Sequence, residues 1–278
     1  RSMAFPFIKS LKKLFGFNAQ PNPEPTPVEE PCSEDRISLK LAFSGAADRQ
    51  RIGKLFEPAT KTKIDPHNFV VKREKDVFEY AIDRRHVAFL FNTHSGAVKT
   101  LSFAYDVRKD KRSSHLHTEI GTSLASLGGY KTAQIVIAAL TLKEWWNTPP
   151  QRKIVTEILP ENVPSLNAYK KLGWAEIDCP DLTHELHVLC NESIAPEDKG
   201  RQTVWFEANE KTLQKMAQVI LEHMDKGYVE NKHTGDRIPI DLTAMLDTGL
   251  TKEHLKAIAR GHTNRRLLEI TYDPPEPK

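Results

Sequence analysis

The sequence predicts an α/β (α+β) fold, a mixed central sheet flanked by helices, with a disordered N-terminal arm and a helical C-terminal extension. Three observations carry this. Segments of strand-like alternation and of helical spacing succeed one another from about residue 36 to 190, in the order β-α-α-β-β-β-α-β-α-β-β. Strands joined through a hairpin precede the later helices, which argues for a mixed rather than an all-parallel sheet. Five prolines among acids in residues 18–35 set off a linker with too little apolar content to fold.

The bulk properties agree. Hydrophobic residues make up 39% and charged residues 28% of the 278, and the formal net charge is +3. That is a soluble globular balance. With near-equal acids and bases, charge alone gives no argument for a nucleic-acid partner, and none is expected. No apolar run approaches the roughly 18 residues of a membrane helix. Cys32, Cys179 and Cys190 lack metal-ligand spacing and read as reduced thiols of a cytoplasmic protein; a Cys179–Cys190 disulfide is the alternative. Arg1-Ser2 ahead of Met3 reads as a cloning remnant.

Three regions are expected: 1–35, 36–195 and 196–278. In residues 3–17, Phe7, Ile8, Leu11, Leu14 and Phe15 recur at helical spacing among Lys9, Lys12 and Lys13. Such a basic amphipathic segment suits docking on a membrane surface or a protein partner, and equally a helix packed on its own protein. A location peripheral at a membrane follows from the first reading.

Element by element, Ile37–Phe43 alternates as a strand. Ala46–Phe56 and Glu74–Arg84 have helical spacing. Val87–Asn92 and Ala97–Tyr105 are strands about the turn Thr93-His94-Ser95-Gly96. Leu116–Ala125 is a strand and Tyr130–Trp146 a long helix. Lys153–Leu159 is a strand, Ser165–Leu172 a short helix, and Trp174–Ile177 and Glu185–Leu189 are strands. In the extension, Val204–Glu207 is a strand, Asn209–Met224 an amphipathic helix, Leu242–Leu246 and Lys252–Arg260 shorter helices, and Leu267–Tyr272 a strand. Arg260, His262, Arg265 and Arg266 cluster there, as a solvated face or a patch for an acidic partner. The extension is a candidate for covering an acceptor groove or forming a homodimer contact.

Chemistry concentrates at strand-to-helix junctions. The run Leu127-Gly128-Gly129-Tyr130-Lys131-Thr132-Ala133 takes a strand into a helix. Free backbone N–H groups and the positive helix end make an anion site there, and glycines permit close approach. Gly-Gly before a helix is also often only a turn. Upstream, His115, His117 and Glu119 share one face of their strand. Glu119 can act as general base toward an attacking amine. Two His and a Glu also suit zinc, although surface strands often carry such residues without one, and no metal is expected. Downstream, Asn162 and Ser165 are placed to cap a helix. Tyr169 lies one turn beyond Ser165, where it can protonate a leaving thiolate or serve simply as core.

The pattern N-x-x-S-x-x-x-Y-x-K-x-G-[FW], carried by Asn162, Ser165, Tyr169, Lys171, Gly173 and Trp174, resembles the fourth-helix signature of the GNAT acetyltransferases. The strand–turn–helix before it resembles that family's acetyl-CoA motif, and the likeness extends over about residues 36–190. The resemblance implies acyl transfer from acetyl-CoA, or another acyl-CoA co-substrate, to an amine of a protein or small molecule. Ser123, Leu124 and Ala125 would bond the pantetheine arm through backbone groups. Amides from Leu127 to Ala133 would hold the pyrophosphate, and Asn162 would contact the cofactor near that arm. Tyr169 would be general acid, and Glu119 stands where some members place the general base. A strand N–H would stabilise the oxyanion. The family's loop usually reads [QR]-x-x-G-x-[GA]; here the Arg or Gln is missing and Lys131 stands where a small residue is usual. A catalytically inactive interaction module and a tRNA-directed acetyltransferase are the alternatives.

Overall fold

In the computed structural model the described residues are 37–57, 62–69, 75–107, 117–150, 152–191, 194 and 198–272. They lie in one unit, Arg36–Lys278. The amphipathic segment 3–17, the linker 18–35, Cys32, His115 and the tail beyond Tyr272 fall outside them.

Nine strands form the sheet among these residues: β1 Leu39–Phe43, β2 Val87–Asn92, β3 Val98–Val107, β4 His117–Ala125, β5 Lys153–Ile158, β6 Ala175–Glu176, β7 Val204–Glu207, β8 Tyr228–Glu230 and β9 Arg237–Asp241. Their spatial order is β6-β7-β5-β4-β3-β2-β1-β9-β8. The pairs β1–β2, β2–β3 and β3–β4 are antiparallel, and β4–β5 is parallel. The α/β (α+β) class with a mixed sheet is therefore the one observed.

The helices are α1 Arg49–Phe56, α2 Lys75–Asp83, α3 Thr132–Asn147, α4 Val163–Lys171, α5 Pro180–Asn191, α6 Glu210–Lys226, α7 Lys252–Ala259 and α8 Arg265–Tyr272. Strand alternation sends Ala88 and Leu90 into one core, with residues of α3, α4, α6 and α7. It sends Val87 and Phe89 into another, with residues of α1 and α2. A third, smaller cluster joins Leu186 and Cys190 of α5 to Val107, Val155 and Trp205. The helix α3 is apolar nearly all round, with Ile135 to Leu140 buried without interruption, because it crosses from β4 to β5 inside the protein.

Two expected strands are helices. Glu185–Leu189 belongs to α5, where Pro180 and Asp181 start a helix and Leu182, Leu186 and Cys190 recur every fourth residue. Leu267–Tyr272 belongs to α8, whose amides from Leu267 and Leu268 are taken up by the Asn264 side chain and carbonyl. The short helix expected at Leu242–Leu246 is a 3-10 turn, Thr243–Thr248.

The region beyond residue 196 also contributes strands. β7 lies between β5 and β6, antiparallel to both. The hairpin β8–β9 was not foreseen, and it places β9 parallel to β1, pairing Leu39 with Ile240. Pro239 inside β9 hid the alternation that buries Ile238 and Ile240.

Candidate active site

The site is built where two neighbouring strands part. β4 stays paired to β3 as far as Ala125↔Thr100, but its pairing with β5 ends at Glu119↔Val155. A bulge explains the parting. Between the Ser102↔Ser123 and Ala104↔Ile120 pairs, β3 has one residue and β4 has two, Gly121 and Thr122. Such an insertion bends its strand and shifts its side-chain alternation. The shift is visible in the cores: Ile120 and Leu124, four residues apart, enter opposite ones. From the bulge onward, the edge of β4 that faced β5, including Ser123, Leu124 and Ala125, has no pair in β5 among the described residues, and this unpaired stretch is the candidate cleft.

Polar groups line its mouth. Thr156 Oγ1 of β5 donates to the Ile120 carbonyl at 2.6 Å. Ser123 Oγ lies 2.8 Å from Ser102 Oγ and 3.3 Å from the Gly121 carbonyl. The Tyr169 side chain of α4, 4% exposed, shares hydrogen bonds with Thr156 and Ser123. Burial pushes the phenol up to about 12; those two hydrogen bonds oppose the rise, and the nearby Glu119 charge adds to it. The phenol is a hydrogen-bond donor at any neutral pH.

Glu119 stands on the other face of β4, buried, and Cys190 Sγ of α5 donates to its Oε2 at 3.3 Å. Gly121 leaves room for it: a Cβ there would lie 2.5 Å from the Tyr105 ring and 3.1 Å from Glu119 Oε1. His117, on the same face, is also buried. Burial, with the Lys153 charge next, pushes its imidazole below the ordinary value. Its Nδ1 has no hydrogen-bond partner among the described residues. Among those residues no group of three or more His, Cys, Asp or Glu side chains is arranged to hold a metal.

The turn between β4 and α3 opens beside this cleft, at the ends of the parallel strands where α/β sheets bind ligands. Ser126 fixes its start, with both N–H and Oγ donating to the Lys99 carbonyl. Leu127 and Tyr130 are partly buried and pack on the core, which leaves their backbone groups as the ones the turn can offer. Gly129 has φ +84°. Lys131, the N-cap of α3, is also left-handed at φ 55°, which is where a small residue is usual in the resembled pattern. Thr132 is buried with its hydroxyl accepting from Thr100 Oγ1 at 2.8 Å, and Ala133 follows in the first turn.

At the start of α4, Asn162 Oδ1 accepts from the Ser165 N–H at 3.2 Å. Asn162 is thus the cap, and Ser165 supplies the capped amide. The C-terminal region holds the other end of this helix: Thr212 Oγ1 donates to the Gly173 carbonyl and Lys215 Nζ to that of Lys171.

The structure therefore brings Glu119, Ser123 and Tyr169 to one parting of strands. Sequence reading missed Gly121, Thr156 and Cys190. A lone cysteine and a strand threonine carry no local signal, and Gly121 within a strand pattern was the one available hint of a bulge.

The described residues thus define an α/β protein with a mixed sheet whose central parallel pair parts beside a glycine turn. No protein-family model matches the chain, and no curated protein matches it in sequence. Among solved structures it is similar to N-acetylglutamate synthase from Neisseria gonorrhoeae complexed with coenzyme A and N-acetyl-glutamate, at 15% identity and TM-score 0.39, over 61% of this chain and 34% of the synthase. The chain thus spans about a third of that protein's length. It is similar to Arabidopsis thaliana NAA60 in complex with acetyl-CoA, at 11% identity and TM-score 0.39, over 62% of this chain and 99% of that one. It is similar to yncA from Salmonella typhimurium with acetyl-CoA, at 13% identity and TM-score 0.40, over 61% and 91%.

Proposed function

We propose that the chain is an acyl-CoA-dependent N-acyltransferase, moving an acetyl or other acyl group from a thioester to an amine of a protein or small molecule. One observation carries this: the cleft between β4 and β5 has a buried phenol on one side, a buried carboxylate on the other and an anion-suited turn at its end.

The freed edge of β4 offers amide groups to an extended chain such as pantetheine, as a missing neighbour strand would receive them. The turn and the first amides of α3 offer donors to a diphosphate. Glu119 accepts a proton from the acceptor amine, through water because the carboxylate is buried. The amine nitrogen bonds the thioester carbon, a backbone N–H of the bulged strand supports the oxyanion, and the carbon–sulfur bond breaks. Tyr169 donates toward the leaving sulfur, which ends as the free thiol. Asn162 holds the helix that carries Tyr169. Residues 36–195 would house this chemistry.

Thermal unfolding with and without acetyl-CoA, and with free CoA, tests the reading. At about 100 times the dissociation constant, a ligand adds roughly 2.7 kcal/mol, a rise of several degrees. No rise with either ligand overturns the proposal in favour of a non-catalytic interaction module.

A further inference from the structure

The β8–β9 turn, Asn231 to Asp236, reaches across to the glycine turn between β4 and α3. Asn231 Nδ2 donates to the Gly128 carbonyl at 3.3 Å, and the Lys232 N–H donates to the Gly129 carbonyl at 3.2 Å. The approach is tight enough to exclude a side chain: a Cβ on Gly129 would lie 2.7 Å from Asn231 Oδ1. Asn231 is itself fixed. Its N–H donates to the Asp236 carbonyl at 2.8 Å, and its Oδ1 accepts from the His233 and Thr234 N–H groups at 2.9 and 3.4 Å.

A planar trans peptide points its C=O and its N–H in opposite directions. Holding the carbonyls of Gly128 and Gly129 against the hairpin therefore turns the N–H groups of Gly129 and Tyr130 away from it. Those two amides belong to the turn that would receive the diphosphate. Released, the Gly128–Gly129 peptide can flip at little cost, because the glycine on each side tolerates both orientations. A flip would present a carbonyl oxygen to an anion.

We infer that Asn231 and the Lys232 backbone N–H are positioning groups for the diphosphate of acyl-CoA, acting through the two carbonyls they hold. The hairpin belongs to the region beyond residue 196, so that region completes the co-substrate site instead of merely adjoining it. This rests on the acyltransferase reading above.

The test compares the chain with its Asn231→Ser variant. Serine keeps a hydroxyl acceptor for the turn N–H groups of His233 and Thr234, removes the amide donor to Gly128 and adds no charge beside the diphosphate. Dissociation constants are measured by calorimetry for CoA and for pantetheine, which lacks the diphosphate. The expected result is about tenfold weaker CoA binding, the order of one lost hydrogen bond, with pantetheine binding unchanged. Amide hydrogen exchange across residues 127–133 of the unliganded variant should also quicken. Unchanged CoA affinity in the variant overturns the inference alone, as does an equal loss for both ligands. A wild-type chain that binds neither ligand overturns the acyltransferase reading and this inference with it.

Discussion

Cys190 Sγ donates a hydrogen bond to Glu119 Oε2 at 3.3 Å, and both side chains are buried. The carboxylate is thus oriented from α5 while its strand bends away from β5. Glu119→Gln keeps the shape and an acceptor oxygen for the thiol but removes the base. Turnover of acetyl-CoA with an amine acceptor should fall by about 10²-fold or more, with CoA affinity within about twofold of wild type. Steady-state kinetics beside calorimetric titration checks this. A loss confined to CoA affinity assigns Glu119 to binding instead.

Tyr169→Phe should slow turnover by roughly tenfold or more and leave CoA binding in place. The phenol also has a pH signature. Its folded pKa of about 12 lies above the ordinary value of 10.0, so the folded state holds the proton longer. The unfolded state then binds fewer protons between those values, and stability falls as pH rises through that window. The phenylalanine variant should lose this alkaline decline. Denaturant titrations at stepped pH measure the difference.

Glu144 tests the acid side. It is buried in α3, with His86 Nδ1 at 2.9 Å and Lys143 Nζ at 2.6 Å. Burial by itself raises its pKa, but the His86 hydrogen bond and the Lys143 charge outweigh that and hold it below the ordinary carboxylate value. Its contribution is fully present above the unfolded pKa and is lost as pH falls through the folded one. Glu144→Gln should cost roughly 1–3 kcal/mol near neutral pH and flatten the acid limb of stability. Unfolding midpoints across the acid range check both.

Lys131 sits in the left-handed region at φ 55°, a conformation that disfavours side chains by about 1–2 kcal/mol. Glycine relieves the strain but gains freedom when unfolded, so Lys131→Gly should stabilise by up to about 1 kcal/mol. It should also weaken CoA binding several-fold and reduce its salt dependence, since one cation beside the anion turn is gone. Calorimetry at two ionic strengths decides. Tighter binding would mean that the lysine obstructs the turn.

Cys179 is exposed and Cys190 buried, and both are free thiols, so the disulfide alternative does not hold. A maleimide reagent should modify Cys179 quickly in the native protein and Cys190 only on unfolding. Peptide mass mapping after timed quenching reads the two sites separately.

What the sequence determined by itself was local. Val87–Asn92 shows its strand as a short continuous apolar run before a turn, Asn162 caps the Ser165 amide three residues away, and Gly129 marks a turn that needs positive φ. Such features are settled within one or two turns of chain, where propensity and hydrogen bonding act. Even there a short window misled: Glu185–Leu189 alternates, yet the longer spacing from Leu182 to Cys190 makes a helix. The tertiary structure alone decided the rest. The Cys190–Glu119 bond spans 71 residues and the Asn231–Gly128 bond 103. The parting of β4 from β5 arises from a bulge that only the β3 register reveals. Contacts between segments so far apart depend on which faces become buried together, and no run of neighbouring residues encodes that.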